Sequence, residues 1–178
     1  MADHLWLGSM CSGIGMMELG IVEGFKAEGL DLRVRWQVEK DPYAREVLRR
    51  HYPEAQLFED VNDEQTEKAI KNQPVSVCCF GFPCQDLSYA GHQKGITGER
   101  SGLFFRCWEL AVLAGAKHII LENVPGVLTN EASGAVLRTI SQSGYSAEWI
   151  DLSAAQMGAR HKRRRWFLVA YSNTGRKL

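Results

Sequence analysis

Apolar positions along this chain fall into short runs separated by longer amphipathic stretches. The two alternate with the periods expected of strands and helices. Residues 4–10, 33–38, 56–58, 75–80 and 118–121 read as strands, and 145–152 with 165–171 as a closing pair. Residues 16–28, 42–51, 62–72, 101–116 and 131–143 read as helices. Asp41 is placed to cap the second helix with Pro42 at its first position. Gly144 is placed to stop the last. Residues 75–80 form a continuous apolar run of the kind buried on both faces of a parallel sheet. Strand–helix alternation of this kind predicts an α/β fold, a doubly wound and mostly parallel sheet covered by helices on both faces. Ligands of such sheets bind at the carboxyl ends of the strands. No internal repeat or linker interrupts the pattern, so residues 1–178 are expected to form one domain.

Those strand ends carry the polar residues of interest. Ser12-Gly13-Ile14-Gly15 joins the first strand to the first helix, where glycines let backbone approach a ligand. A tight turn accounts for them equally well, and Glu18 stands where a dinucleotide fingerprint would have its third glycine. Glu39 ends the second strand and Asp60 the third. An acid in the first position can bind both hydroxyls of a ribose, or lie on the surface. Asp60 can accept from an adenine amino group or cap the helix that follows. A glycine turn with two such acids suggests an adenosine-containing ligand. The chain has no GxxxxGK[ST] loop, which argues against nucleotide hydrolysis. Glu122 tips the strand at 118–121, either as a functional acid or as a salt-bridged one.

Length and composition add bounds. The chain has 178 residues, 45% of them hydrophobic and 24% charged, values ordinary for a soluble domain with a real core. No apolar run is long enough to span a membrane. The N-terminal residues show no secretory pattern, so a cytoplasmic location is expected. The formal net charge is zero, which argues against coating nucleic acid by charge alone. The run Arg160-His161-Lys162-Arg163-Arg164-Arg165 is a local basic patch that feeds directly into an apolar strand. Five cysteines without a secretion signal point to free thiols in a reducing compartment. Zinc-type spacing is absent. Cys78, Cys79 and Cys107 fit packing roles. Cys84 differs: it follows Pro83, opens a Gly-rich polar loop running to Arg100, and has Gln85, Asp86 and Ser88 as neighbours. A cysteine-protease reading lacks a histidine in any recognisable pattern.

The ordered motifs CSGIG, VEKDPYA, EDV, GFPCQDLS, ERSGLFF, LENV and HKRRRW resemble those of the DNA (cytosine-5)-methyltransferases, and the resemblance runs from about Leu7 to Ala170. It implies S-adenosylmethionine as cofactor and a methyltransferase sheet of the Rossmann-like type. It also implies that Cys84 is the nucleophile toward a flipped cytosine. Glu122 would hold ring nitrogen 3, Arg163 the base oxygen, and Arg165 would orient the site. Cys11, Ser12, Gly13, Ile14, Gly15, Glu39, Lys40, Asp60, Val61, Gly81, Pro83 and Leu103 would line the cofactor pocket. Gln85 and Ser88 would contact phosphates beside the flipped nucleotide. The sequence departs from the family at Cys11, where a phenylalanine is usual, at Met16, where a glycine is common, and at His161. Complete members continue into a target-recognition region and two further motifs, which have no counterpart here. The expectation is therefore a catalytic part that acts on DNA with recognition supplied either by a second polypeptide or by a region missing from a truncated gene. Self-association through the exposed docking edge is also expected. The alternative is an inactive truncated remnant that keeps the cofactor-binding fold as a binding or interaction protein.

Overall fold

The computed structural model describes residues 4–82, 102–129 and 131–174. Seven strands are hydrogen-bonded in the order β3-β2-β1-β4-β5-β7-β6. They are β1 (Leu5–Met10), β2 (Leu32–Val38), β3 (Gln56–Phe58), β4 (Val77–Gly81), β5 (His118–Asn123), β6 (Tyr145–Ser153) and β7 (Arg164–Ser172). The helices are α1 (Met16–Ala27), α2 (Pro42–His51), α3 (Glu64–Lys71), α4 (Gly102–Leu113) and α5 (Glu131–Gln142). The expected α/β class and mostly parallel sheet are present, and the β6–β7 pair at the edge is antiparallel.

The chain divides into two compact units. The first comprises residues 1–80 and 106–119, the second residues 81–105 and 120–178. In the first, β1 pairs in parallel with both β2 and β4, and β2 with β3. Strand order therefore reverses at β1, and the crevice beyond Met10 and its partner Phe80 is the switch point at which such sheets bind ligands. Leu7, Met10, Trp36, Phe80 and Ile70 are wholly buried there. Cys78 and Cys79 are also sealed, one on each face of β4. Burial pushes both thiols up, as expected of packing residues. Gly8 is required by a close approach: a Cβ there would lie 2.2 Å from the ring of Trp36. The β1–β2 register shifts at this same point, between Leu7 and Gly8.

Local chemistry sets the helix ends. Asp41 caps α2, its side chain accepting from the N–H groups of Tyr43 and Ala44, with Pro42 following. The third helix begins two residues later than the sequence suggests. Its cap is Asp63, which accepts from the Gln65 N–H, whereas Asp60 is turned onto Asn62.

The second unit holds β7 and β6 as a nine-residue antiparallel pair in which Ile150 faces Phe167 and Leu152 faces Arg165. Trp166, Leu168 and Ala170 of β7 are buried, as are Val136 and Ile140 of α5. Two 3-10 turns, Pro125–Thr129 and Ala154–Met157, complete it. Ser153 and Gln156 form a capping box on the latter. Among the described residues no helix is long and apolar enough to cross a membrane.

Candidate active site

In the first unit the turn after β1 is built from unusual backbone. Cys11, Gly13 and Gly15 all have positive φ, at 52°, 55° and 85°. Cys11 is the one non-glycine residue with this conformation among those described. A Cβ on Gly13 would meet nothing within 4 Å, so that backbone faces open space. A Cβ on Gly15 would collide with the Tyr52 ring at 2.5 Å. The Tyr52 hydroxyl donates to the Gly15 carbonyl at 2.7 Å. Burial, and then the nearby Glu18 carboxylate, push the Tyr52 phenol up to about 12, so it stays a donor. Ser9 and Ser12 hydroxyls share a hydrogen bond of 2.8 Å.

Glu39 clasps this turn. One carboxylate oxygen accepts from the Gly13 N–H at 2.7 Å and the other from the Asp41 N–H at 2.8 Å. Asp60 accepts from the Asn62 N–H at 2.9 Å and pairs with Lys40 at 3.3 Å. The backbone hydrogen bond from Asn62, then Lys40, hold its carboxyl below the usual range, so it is an acceptor at neutral pH. Val61 is buried, and its carbonyl accepts from Arg106 Nε at 3.0 Å. Ile14 is exposed. An open glycine backbone, an acid at the end of β2 and an ionised acid past β3 fit the donor and acceptor set of an adenosine-containing cofactor.

In the second unit Glu122 projects from the end of β5 and meets Arg165 of β7, with Nε 2.5 Å from Oε1. Both side chains are about a quarter exposed, at 29% and 24%. The pair is shielded but still reachable. A Cβ on Gly81 would stand 3.1 Å from the other Glu122 oxygen, so glycine there keeps the carboxylate clear. Asn123 is buried, and its amide donates to the Phe82 carbonyl at 2.8 Å while its oxygen accepts from the Val124 N–H at 2.7 Å. The Phe82 ring packs edge-on against Phe104 at 5.2 Å. Arg163 is exposed just before β7, its carbonyl accepting from the Ala154 N–H. Arg164 pairs with Asp151 instead. Leu103 is half-buried in the first turn of α4.

The residues expected to line a cofactor at 11–15, 39, 40, 60 and 61 thus share one unit, and Gly81, Leu103, Glu122, Arg163 and Arg165 share the other. Pro83, Cys84, Gln85 and Ser88 lie outside the described residues. Sequence reasoning missed Tyr52, Arg106 and Asn123. The first two act on the turn and on Val61 from distant positions, with no local signal. Asn123 stood within the LENV motif and was passed over. Among the described residues no group of three His, Cys, Asp or Glu could hold a metal ion.

A doubly wound sheet with a glycine turn and acids at successive strand ends is a fold that binds nucleotide-like cofactors at its switch point. The model of the C-5 cytosine-specific DNA methylase family matches residues 6–177, and the chain belongs to that family. It is 32% identical over 172 residues to the type II methyltransferase M2.BsuMI of Bacillus subtilis, covering 91% of this chain and 41% of that protein. It is also 32% identical over 165 residues to M.NgoBI of Neisseria gonorrhoeae, covering 91% and 49%. The chain therefore spans less than half the length of these relatives. Among solved structures, DNMT2 of Spodoptera frugiperda superposes with a TM-score of 0.76 at 22% identity, covering 97% of this chain and 51% of that one. Dnmt2 of S. pombe gives 0.76 at 21%, covering 98% and 53%.

Proposed function

We propose that this chain is the catalytic part of an enzyme that transfers a methyl group from S-adenosylmethionine to carbon 5 of cytosine in DNA. The observation that carries the reading is the Glu122–Arg165 pair at the strand ends of a family member. Gly81 borders the pair, and Cys84 follows Gly81 by three positions in the sequence.

Carbon 5 of cytosine is a weak nucleophile. Attack of the Cys84 thiolate on carbon 6 makes the ring an enamine, and cysteine suits this because it both attacks and leaves readily. Glu122 holds ring nitrogen 3 as charge develops there, and Arg165 fixes that carboxylate's orientation through its planar guanidinium. Arg163 holds the base oxygen. The cofactor, when bound, supplies an electrophilic methyl group. Gly13 and Gly15 border its methionine end, with Cys11, Ser12 and Ile14 completing the turn. Glu39 takes its ribose, and Asp60 with Lys40 and Val61 its adenine. Pro83 and Leu103 are assigned to the same cofactor by the family motifs in which they stand. Gln85 and Ser88 contact phosphates next to the extruded nucleotide.

DNA is the proposed substrate, and a cytoplasmic restriction–modification setting is proposed with it; the relatives are named type II methyltransferases. Because the chain spans under half of those proteins, recognition of the target site is assigned to a further region or a second polypeptide. The exposed Trp149 and Ile150 on the edge strand β6 favour self-association when that region is missing. The short span relative to the relatives also favours a second reading, a non-catalytic binding protein that retains the cofactor fold. Transfer of labelled methyl groups into duplex DNA separates the two. Incorporation by the chain with a complementing recognition polypeptide supports the enzyme. Cofactor binding without incorporation in any combination supports the binding protein.

A further inference from the structure

Asp60, the acid proposed for the adenine of the cofactor, stands between two residues that arginines of distant helices hold. Before it comes Glu59, whose carboxylate meets Nη2 of Arg45 at 3.0 Å. After it comes Val61, whose carbonyl accepts from Nε of Arg106 at 3.0 Å. Arg45 belongs to α2 and Arg106 to α4, and all of these residues lie in the first unit. We propose that Arg45 and Arg106 are positioning residues, a bracket that fixes Asp60 and so sets a preference for adenine, with its 6-amino group, over a 6-oxopurine.

Each arginine is itself anchored. Nη1 of Arg45 donates to the carbonyls of Glu39 and Lys40, at 3.1 and 2.7 Å. This guanidinium thus ties the end of β2 to the turn after β3, joining the acid proposed for the ribose to the neighbour of the acid proposed for the adenine. Arg106 donates through Nη2 to Glu67 of α3 at 2.6 Å and through Nη1 to Glu109 of its own helix at 2.9 Å. Both arginines are largely shielded, with side chains 11% and 19% exposed. Charge-assisted contacts from a rigid planar fork fix direction as well as distance.

The contacts of Asp60 itself are weaker restraints. They are an exposed hydrogen bond from the Asn62 N–H and a pair with Lys40, whose side chain is 85% exposed. β3 ends at Phe58, and the bracket takes over where that strand stops. A fixed acceptor tells purines apart. The 6-amino group of adenine donates to a carboxylate, whereas a 6-oxo group sets oxygen against oxygen. Such rejection works only while the acceptor cannot step aside.

The inference rests on the proposed cofactor site. Calorimetric titration with S-adenosylhomocysteine and with its 6-oxo analogue, S-inosylhomocysteine, gives the preference as a ratio of two affinities. Loss of folded protein lowers both alike and leaves the ratio unchanged. The parent should favour the adenine form by about tenfold or more, and Arg45→Gln and Arg106→Gln should each cut that ratio by about threefold or more. Where a glutamine variant fails to fold, the lysine variant, which keeps the charge without the fork, takes its place. Asp60→Asn should abolish the preference. Hydrogen exchange at the Asn62 amide reads the bracket without any ligand and should quicken in both arginine variants. Unchanged exchange there would overturn the bracket. So would a preference that Asp60→Asn abolishes but both arginine variants retain, and that result would leave the proposed function standing. A parent that binds neither analogue, or both alike, would overturn the selectivity together with the assignment of Asp60 to adenine.

Discussion

Replacing Glu39 separates its hold on the turn from the cofactor contact proposed for the same carboxylate. In the structure it accepts from the N–H groups of Gly13 and Asp41 at 2.7 and 2.8 Å. Hydrogen bonds to a charged acceptor contribute about 1.5–3 kcal/mol when shielded. The Gly13 contact is part-buried and falls near the lower figure. The Asp41 contact is exposed, where water substitutes for most of it. Glu39→Ala should therefore cost about 2 kcal/mol of folding stability without any cofactor present. Glu39→Gln keeps one acceptor oxygen and turns an amide N–H₂ toward the second donor, so about 1 kcal/mol is expected. Urea unfolding followed by circular dichroism measures both. A Glu39→Ala loss below about 0.5 kcal/mol would refute the clasp. Cofactor titration then reads the proposed contact. Loss of hydroxyl contacts to a charged acceptor predicts at least tenfold weaker S-adenosylmethionine binding by Glu39→Gln. Unchanged affinity beside lowered stability would show that Glu39 shapes the turn without touching the ribose.

Other substitutions test other parts. Gly8→Ala drives a methyl group into the Trp36 ring, at 2.2 Å, and should lower stability by about 3 kcal/mol. Adding Trp36→Phe should recover part of that loss in a thermal melt, and a well-folded Gly8→Ala chain of unchanged midpoint would contradict the close approach. Asn123→Ala strands the Phe82 carbonyl and the Val124 N–H, for a loss of about 1–3 kcal/mol in urea. His118 has its pKa lowered below 6.5, first by burial and then by Lys117. The unfolded chain therefore binds the proton first, so stability is full above pH 6.5 and falls as pH drops toward the folded value. Urea midpoints at pH 7.5 and 5.5 should differ less in His118→Asn than in the parent, and an equal difference would exclude His118 as the source.

What the sequence revealed depended on how local the cause was. Asp41-Pro42 specifies its helix start through adjacent atoms, and the observed start is the expected one. The run at 75–80 is apolar because β4 is covered on both faces, so its position was legible, although the strand proper begins at Val77. β5 runs two residues past its apolar run, because backbone pairing continues through Glu122 and Asn123 whatever their side chains. The polar ending that hid the strand's length also carries the acid proposed to act, Glu122. The Asp60 turn imitates a helix cap in sequence, and only the competition with Asp63 resolves it. Contacts closed by the fold left no trace in the sequence: the Tyr52 hydroxyl on Gly15 and Arg106 on Val61. The glycine turn and the acids at the strand ends could be listed from sequence, but the hold of Glu39 on Gly13 could not.

Trapping on duplex DNA that carries 5-fluorocytosine tests the central claim most directly, because fluorine at carbon 5 blocks the proton loss that would release the thiol. With S-adenosylmethionine and a complementing recognition polypeptide, the parent chain should give a denaturant-stable protein–DNA adduct, and Cys84→Ser should give none. An adduct that survives Cys84→Ser, or methyl transfer by that variant, would contradict the account.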